Sequence, residues 1–175
     1  GNDESEALVV PQQDIGELQV DHLVSRGHAR IGVTEPASPS LTAFLAPRVA
    51  GVRRRCAELS LSEPVGATLE LDPESAAAAV QKWRGAGVTA VAAYNDEYAA
   101  AVLAGLRHLG LSAPEDLAVI GVDNITFGRL TNPPLTSVDV HIEVVTAWAI
   151  HALRTALQVP DPGTSDLHRS PVSLV

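Results

Sequence analysis

The chain has 175 residues, 46% of them hydrophobic and only 3% aromatic, with a net charge of −9 and a pI of about 5.0. That length and apolar content suit one packed domain or two small lobes and argue against disorder. The acidic balance argues against a phosphate-binding surface built on clustered Lys and Arg, and a single cysteine, Cys56, excludes an internal disulfide and a cysteine-rich metal site.

The first six residues, GNDESE, read as a frayed acidic end and not as the basic start of a signal peptide. Ala7 to Val10 reads as a short strand broken by Pro11. Asp14 can cap a helix that runs to about Ser25 and stops at Gly27. Ala29 to Thr34 is the next strand, followed by a Pro- and Ser-rich loop to Ser40. A helical pattern then extends to about Leu59, and Pro47 is expected to begin a new helix at its first turn. The basic run Arg53-Arg54-Arg55 within it reads as a solvated helix face. Val65 to Leu71 is a strand, and Asp72-Pro73-Glu74 opens a helix with an acidic cap and Pro at the first position. That helix ends near Gly85 or Gly87.

Ala90 to Tyr94 is an apolar strand followed by two good capping residues, Asn95 and Asp96. The spacing of Ala99, Val102, Leu103, Leu106 and Leu109 predicts a helix over 97–109, with Gly110 as its stop. Leu117 to Val122 is a strand ending at Asp123. Residues 125–132 form a loop or irregular helix, and Asn132-Pro133-Pro134 a rigid extended connection. Leu135 to Val140 is a strand. Glu143 to Leu157 is a helix with apolar residues almost all round, as in a buried or interface helix. Asp161 to Ser165 is a turn, and Pro171 to Val175 a final strand. No apolar run approaches the ~20 residues that span a membrane.

The middle of the chain therefore alternates strand and helix from 29 to 122, the pattern of an α/β fold with a doubly wound parallel sheet. Residues 89–124 form a strand–helix–strand unit with short connections, whose strands are parallel neighbours. The flanking elements, 7–26 and 135–157, fall outside that alternation. Asn95 and Asp123 each sit just past the carboxyl end of a strand, where open α/β sheets bind ligands. Asn95 offers a donor and an acceptor, and Asp123 two acceptor oxygens, which suits a polyhydroxylated or otherwise polar small molecule. The competing local roles are caps: Asp96 is assigned mainly to capping the helix and Asn95 mainly to the ligand, while Asp123 can cap a turn. No Walker loop, GxGxxG, GxSxG, HExxH or nucleophile–base arrangement occurs, so neither an enzyme, a metal site nor a cofactor is expected.

The block AYNDEYAAAVLAGLRHLGLSAPEDLAVIGVDN followed by NPPLTSV resembles the effector-binding domain of lactose-repressor/galactose-repressor (LacI/GalR) transcription regulators. The upstream HLVSRGHARIGV and the terminal PVSLV resemble it too, so the resemblance spans nearly the whole chain. It implies a periplasmic-binding-protein-like fold of two α/β lobes, preceded by a helix-turn-helix domain. By that comparison residues 1–27 are a remnant of the first lobe and 28–138 the complete second lobe. Residues 139–167 return a helix to the first lobe, and 168–175 bring a strand back to the second. The resemblance also implies an effector, a sugar or related polar metabolite, held by Asp123, Asn95 and Arg48. Asp14 corresponds to a first-lobe polar residue, with an N-cap as its other reading. Leu71 and Ile142 stand at positions where the family often carries an aromatic ring. His28 belongs to a Gly-His strand-entry motif with a structural role.

The expected function is the effector-sensing and dimerisation region of a cytoplasmic repressor that reaches DNA only through a separate N-terminal domain. The homodimer is expected to use residues 97–109 and 125–130. A periplasmic-type sugar-binding protein, which shares the fold, is the alternative.

Overall fold

The computed structural model describes Val10, residues 12–158 and residues 170–175; the expected strand at 7–10 and turn at 161–165 lie largely or wholly outside these. Helix α1 (Gln12–Ser25) is followed by β1 (Ile31–Pro36), α2 (Thr42–Glu58), β2 (Val65–Leu69), α3 (Pro73–Gly85) and β3 (Ala90–Ala92). Next come α4 (Asp96–His108), β4 (Ala118–Val122), a 3-10 helix (Thr126–Leu130), β5 (Thr136–Val140), α5 (Ile142–Ala156) and β6 (Val172–Leu174). The sheet order is β2-β1-β3-β4-β5-β6, with β1 to β5 parallel and the edge strand β6 antiparallel to β5.

Both faces of this sheet are covered, which is why its strands are apolar runs of small residues and do not alternate with polar ones. In β3, Ala90 and Ala92 join a core with Ile15, Val20 and Leu23 of α1 and Val52 and Cys56 of α2. Val91 and Ala93 face the other way, into a core with Val80 and Trp83 of α3 and Val102 and Leu106 of α4. Small side chains on the helices let them approach closely. A Cβ on Gly51 of α2 would collide with the Gln13 backbone of α1, and one on Gly105 of α4 with the backbone of Ala76 and Ala77 of α3.

Several local expectations hold. Asp72 Oδ1 accepts from Glu74 N and Ser75 N at 3.0 Å, with Pro73 at the first helical position. Gly110 follows α4 with φ of +70°, a conformation that favours glycine. The arginine run is surface-facing: Arg55 Nε pairs with Asp21 at 2.6 Å, Arg53 with Glu63 at 2.7 Å, and Arg54 with Glu17.

Three expectations change. Pro47 does not begin a new helix; α2 runs through it, and just after the proline it packs tightly on α1, with Gly16 against Arg48 and Val52 and Gly51 against Gln13. Helix α1 begins at Gln12, so Asp14 lies within its first turn and is not its N-cap. That helix was read as part of the first-lobe remnant, yet Ile15, Val20 and Leu23 are buried in one cluster with β1, β3, β4 and β5. Its apolar face needs cover, and the sheet of the 28–138 lobe supplies it. Helix α5 buries only one end: Val144 and Val145 are inside, while Ile142, Ile150, Leu153 and Leu157 are exposed.

Candidate functional site

Strands β1 and β3 are neighbours, and the chain runs from β1 outward to β2 before returning to β3. The carboxyl ends of β1 and β3 therefore flank the point where the winding direction reverses, the place where doubly wound sheets open a crevice. Thr34 at the end of β1 accepts a 2.7 Å hydrogen bond from Tyr94 N just past β3 and so fixes the two ends together.

Arg48 lies against this point from α2. It is only 7% exposed. Its Nε donates to Gln12 Oε1 at 3.0 Å, its Nη2 donates to the same oxygen, and its Nη1 donates to the Tyr94 carbonyl. The guanidinium carbon sits 4.8 Å from the centre of the Tyr94 ring. Burial pulls its pKa below the ordinary arginine value, and Asp123 is the strongest opposing influence. Arg48 thus fastens the start of α1 to the end of β3, while two of its five N–H groups are left over.

Asn95 caps α4, its Oδ1 accepting from Tyr98 N at 3.0 Å. Asp96 is not the cap that the sequence suggested. It is 2% exposed, and its carboxylate accepts from Ser137 Oγ at 2.7 Å and Ile125 N at 2.8 Å. The physical reason is geometric: the residue with extended φ/ψ just before the helix presents its side chain to the free N–H groups, and that residue is Asn95. Asp96, the first helical residue, points across to the loop after β4. Capping uses the oxygen of Asn95 and, among the described residues, leaves its Nδ2 without an acceptor.

Asp123 ends β4 with φ of +96°, and Asn124 follows at +48°. Neither is glycine, so the backbone here is strained in the way that clusters at ligand sites. The turn is held from below by Asp123 N donating to Val138 O at 2.8 Å, Asn124 N to Ser137 Oγ at 3.0 Å, and Asn124 Nδ2 to Asp139 at 2.8 Å. Although Asp123 is exposed, the protein crowding its carboxyl raises its pKa; Arg48 pulls it down, and Asp96 and Glu97 push it further up. The Tyr94 phenol is also raised, first by burial, with Arg48 opposing and Asp123 adding. Arg48, Tyr94 and Asp123 are thus close enough to sense one another's charge.

The remaining candidates lie further out. Asp14 is exposed on the first turn of α1, two residues from Gln12. Leu71, 54% exposed, borders a groove of about 470 Å³ with Glu97, Ile125 and Phe127. Ile142 is exposed at the first residue of α5. Sequence reasoning missed Tyr94 and Gln12. Tyr94 offered a signal, as an aromatic immediately before the Asn-Asp pair in a chain with few aromatics; Gln12 offered none, because its partner is 36 residues away.

The arrangement can bind but shows no nucleophile and base in contact. Its acceptor is Asp123, and its remaining donors are Arg48 and the Asn95 amide, all on one edge. Among the described residues no cluster of three His, Cys, Asp or Glu groups could hold a metal ion, and no helix is long and apolar enough to cross a membrane.

A family model described as a periplasmic binding protein-like domain matches residues 20–175. The HTH-type transcriptional repressor PurR of Aliivibrio fischeri (strain MJ11) is 32% identical over 140 residues, covering 77% of this chain and 41% of that protein. The HTH-type transcriptional regulator reg1 of Streptomyces lividans is 33% identical over 150 residues, covering 81% of this chain and 41% of its own length. Among solved structures, a sugar-binding LacI-family regulator from Escherichia coli complexed with phosphate superposes with a TM-score of 0.75 at 24% identity, over 94% of this chain and 59% of that one. A LacI-family regulator from Enterococcus faecium with bound ribose gives 0.70 at 26% identity, over 87% and 57%. The chain therefore spans 41% of the length of the curated relatives named here.

Proposed function

We propose, from the premise that this chain belongs to the periplasmic binding protein-like domain family in the form carried by LacI/GalR transcription regulators, that it is the effector-sensing part of a cytoplasmic repressor. The effector is a sugar or related polar metabolite, and no catalysis is involved. The observation that supports this reading is that Arg48, Tyr94 and the Asn95 amide lie at the winding reversal between β1 and β3, with Asp123 just past the end of the neighbouring strand β4. An exposed carboxylate on a strained turn accepts hydroxyls, and the neighbouring amide and guanidinium donate to them. The relatives matched are regulators, which favours this over a periplasmic-type carrier.

The mechanism is a population shift. Effector bound at this edge favours one angle between this lobe and its partner lobe, and a DNA-binding domain elsewhere in the regulator responds. The homodimer is proposed to use α4 and the 126–130 helix, where Phe127 is 59% and Leu130 77% exposed. Calorimetric titration of the full regulator with a panel of mono- and disaccharides, ribose and cellobiose included, tests the reading. A binder whose affinity drops at least about tenfold with Asp123→Ala supports it. Unchanged affinity in that variant overturns the site.

A further inference from the structure

A cavity of about 380 Å³ opens at the other end of the sheet, where the carboxyl end of α1 meets the loops that enter β4 and β5. Its volume falls in the range of small-molecule sites. One side carries basic groups: His22 and Arg26 come from the end of α1, and His28 from the turn into β1. The other side is apolar, with Leu103 of α4, Pro114 and Leu135 among its walls. No carboxylate lines it, in a chain whose net charge is −9.

The plain reading of His22 and Arg26 is that cations suit a helix carboxyl end. That reading does not account for His28, which lies outside the helix, or for the apolar chamber beside the three. Arg26 is exposed and, among the described residues, forms no ion pair. His28 Nδ1 lies 3.1 Å from Thr89 Oγ1, and no hydrogen bond to its Nε2 is made among the described residues. Burial lowers the pKa of both histidines, and Arg26 and His28 lower that of His22 further. With no counter-charge beside them, burial and the Arg26 charge favour neutral imidazoles, and an anion bound here would reverse that by favouring their protonated forms.

We propose that this cavity binds a small organic anion, its carboxylate on His22, Arg26 and His28 and its apolar body against Leu103, Pro114 and Leu135. Charge-assisted hydrogen bonds to Arg and His orient the acid, and the chamber takes a ring or short chain of apolar carbons. The site is at the opposite end of the strands from Asp123. It does not rest on the effector reading, and a ligand here leaves the Asp123 edge open.

Benzoate is a suitable probe, with benzamide as its neutral counterpart of the same shape and inorganic phosphate as an anion without an apolar body. Imidazole proton shifts of the 175-residue chain report the titration. Benzoate is expected to shift His22 and His28 saturably, with benzamide at least about tenfold weaker. Arg26→Gln, an exposed position that leaves the core untouched, should weaken benzoate by about fivefold or more. Asp123→Ala should leave it unchanged. The proposal is overturned if benzoate does not saturate by about 50 mM, binds no better than benzamide or phosphate, or is indifferent to Arg26→Gln. It is equally overturned if the shifts vanish in Asp123→Ala, which would place the anion at the effector edge.

Discussion

Replacing Arg48 with alanine separates a ligand-binding role from a structural one. The side chain is almost fully buried, and three of its N–H groups are engaged by Gln12 and the Tyr94 carbonyl. Alanine leaves both acceptors without a donor, in places where Gln12 is 8% and Tyr94 9% exposed. Each orphaned buried group costs about 1–3 kcal/mol. The guanidinium is itself desolvated, as its lowered pKa indicates, and its removal returns part of that cost. The net expected loss is about 2–4 kcal/mol, a drop in Tm of roughly 5–15 °C for a chain of this size. Urea and thermal melts followed by circular dichroism measure it. A cycle with Gln12→Ala should give a coupling of about 1–3 kcal/mol, because the two residues share the same hydrogen bonds. An Arg48→Ala chain that melts within 1 °C of the parent, or a coupling near zero, would refute the assignment of Arg48 as the fastener between α1 and β3.

Asp123→Gly is expected to raise stability by up to about 1 kcal/mol, since glycine relieves the positive φ, while the proposed effector binding of the full regulator weakens at least about tenfold; equal or lower stability in urea melts would contradict the strain argument. Asp96→Asn should be tolerated, because its oxygen still accepts from Ile125 N and its amide donates to Ser137, whereas Asp96→Ala should cost about 2–4 kcal/mol by orphaning both partners. Burial raises the Asp96 pKa above the ordinary 3.8, so the folded chain keeps its proton to higher pH than the unfolded one. From this group stability therefore falls as pH rises from 3.8 through the raised value, and urea midpoints of Asp96→Asn should lack that component. Cys56 is buried and its thiol is pushed up to about 11, so a thiol reagent at neutral pH should label it only in denaturant; rapid labelling of the folded chain would be the contrary result.

The elements themselves were legible because their signals are local. Ala- and Val-rich runs between caps and glycine stops mark every strand and α-helix that the described residues contain, most of them to within two residues at each end, whereas the short 3-10 helix Pro39–Leu41 falls in a stretch that reads as loop. What could not be read was which neighbour covers each apolar face. The pattern in α1 is equally consistent with packing on another lobe or on this sheet; only the burial of Ile15, Val20 and Leu23 with residues of β1, β3, β4 and β5 decides it. Pro47 read as a helix start because an interior proline normally loses a hydrogen bond, yet α2 runs through it and packs tightly on α1 just beyond. An isolated arginine reads as exposed, since few arginines are buried without partners. The partners of Arg48 lie 36 and 46 residues away in sequence, beyond any local window. Asp123 and Asn95 were legible as strand-end residues, but the exchange of roles between Asn95 and Asp96 turned on one residue of helix register.

The distribution of buried polar groups explains why this edge is shaped as it is. Among the described residues they are Gln12, Gln19, Thr34, Arg48, Asp96 and Ser137. Gln19 donates to the Ala93 carbonyl at 2.9 Å, Thr34 holds Tyr94, Arg48 holds Tyr94 and Gln12, and Asp96 holds Ser137 and Ile125. All of these bonds lie at the carboxyl ends of the strands. A buried polar side chain is costly unless it is bonded, and a sheet that needed only stability would fill these places with apolar residues. Their common effect is to immobilise the backbone at Tyr94, Asn124 and Ile125, and with it the turn whose two residues of strained φ, Asp123 and Asn124, would otherwise relax. Among the described residues, the groups left unsatisfied on that rigid frame are the Asp123 carboxylate, the Asn95 amide and two N–H groups of Arg48. A ligand meeting them has little ordering of the protein to oppose it, which is the advantage of placing an acceptor on a fixed turn and not on a mobile loop.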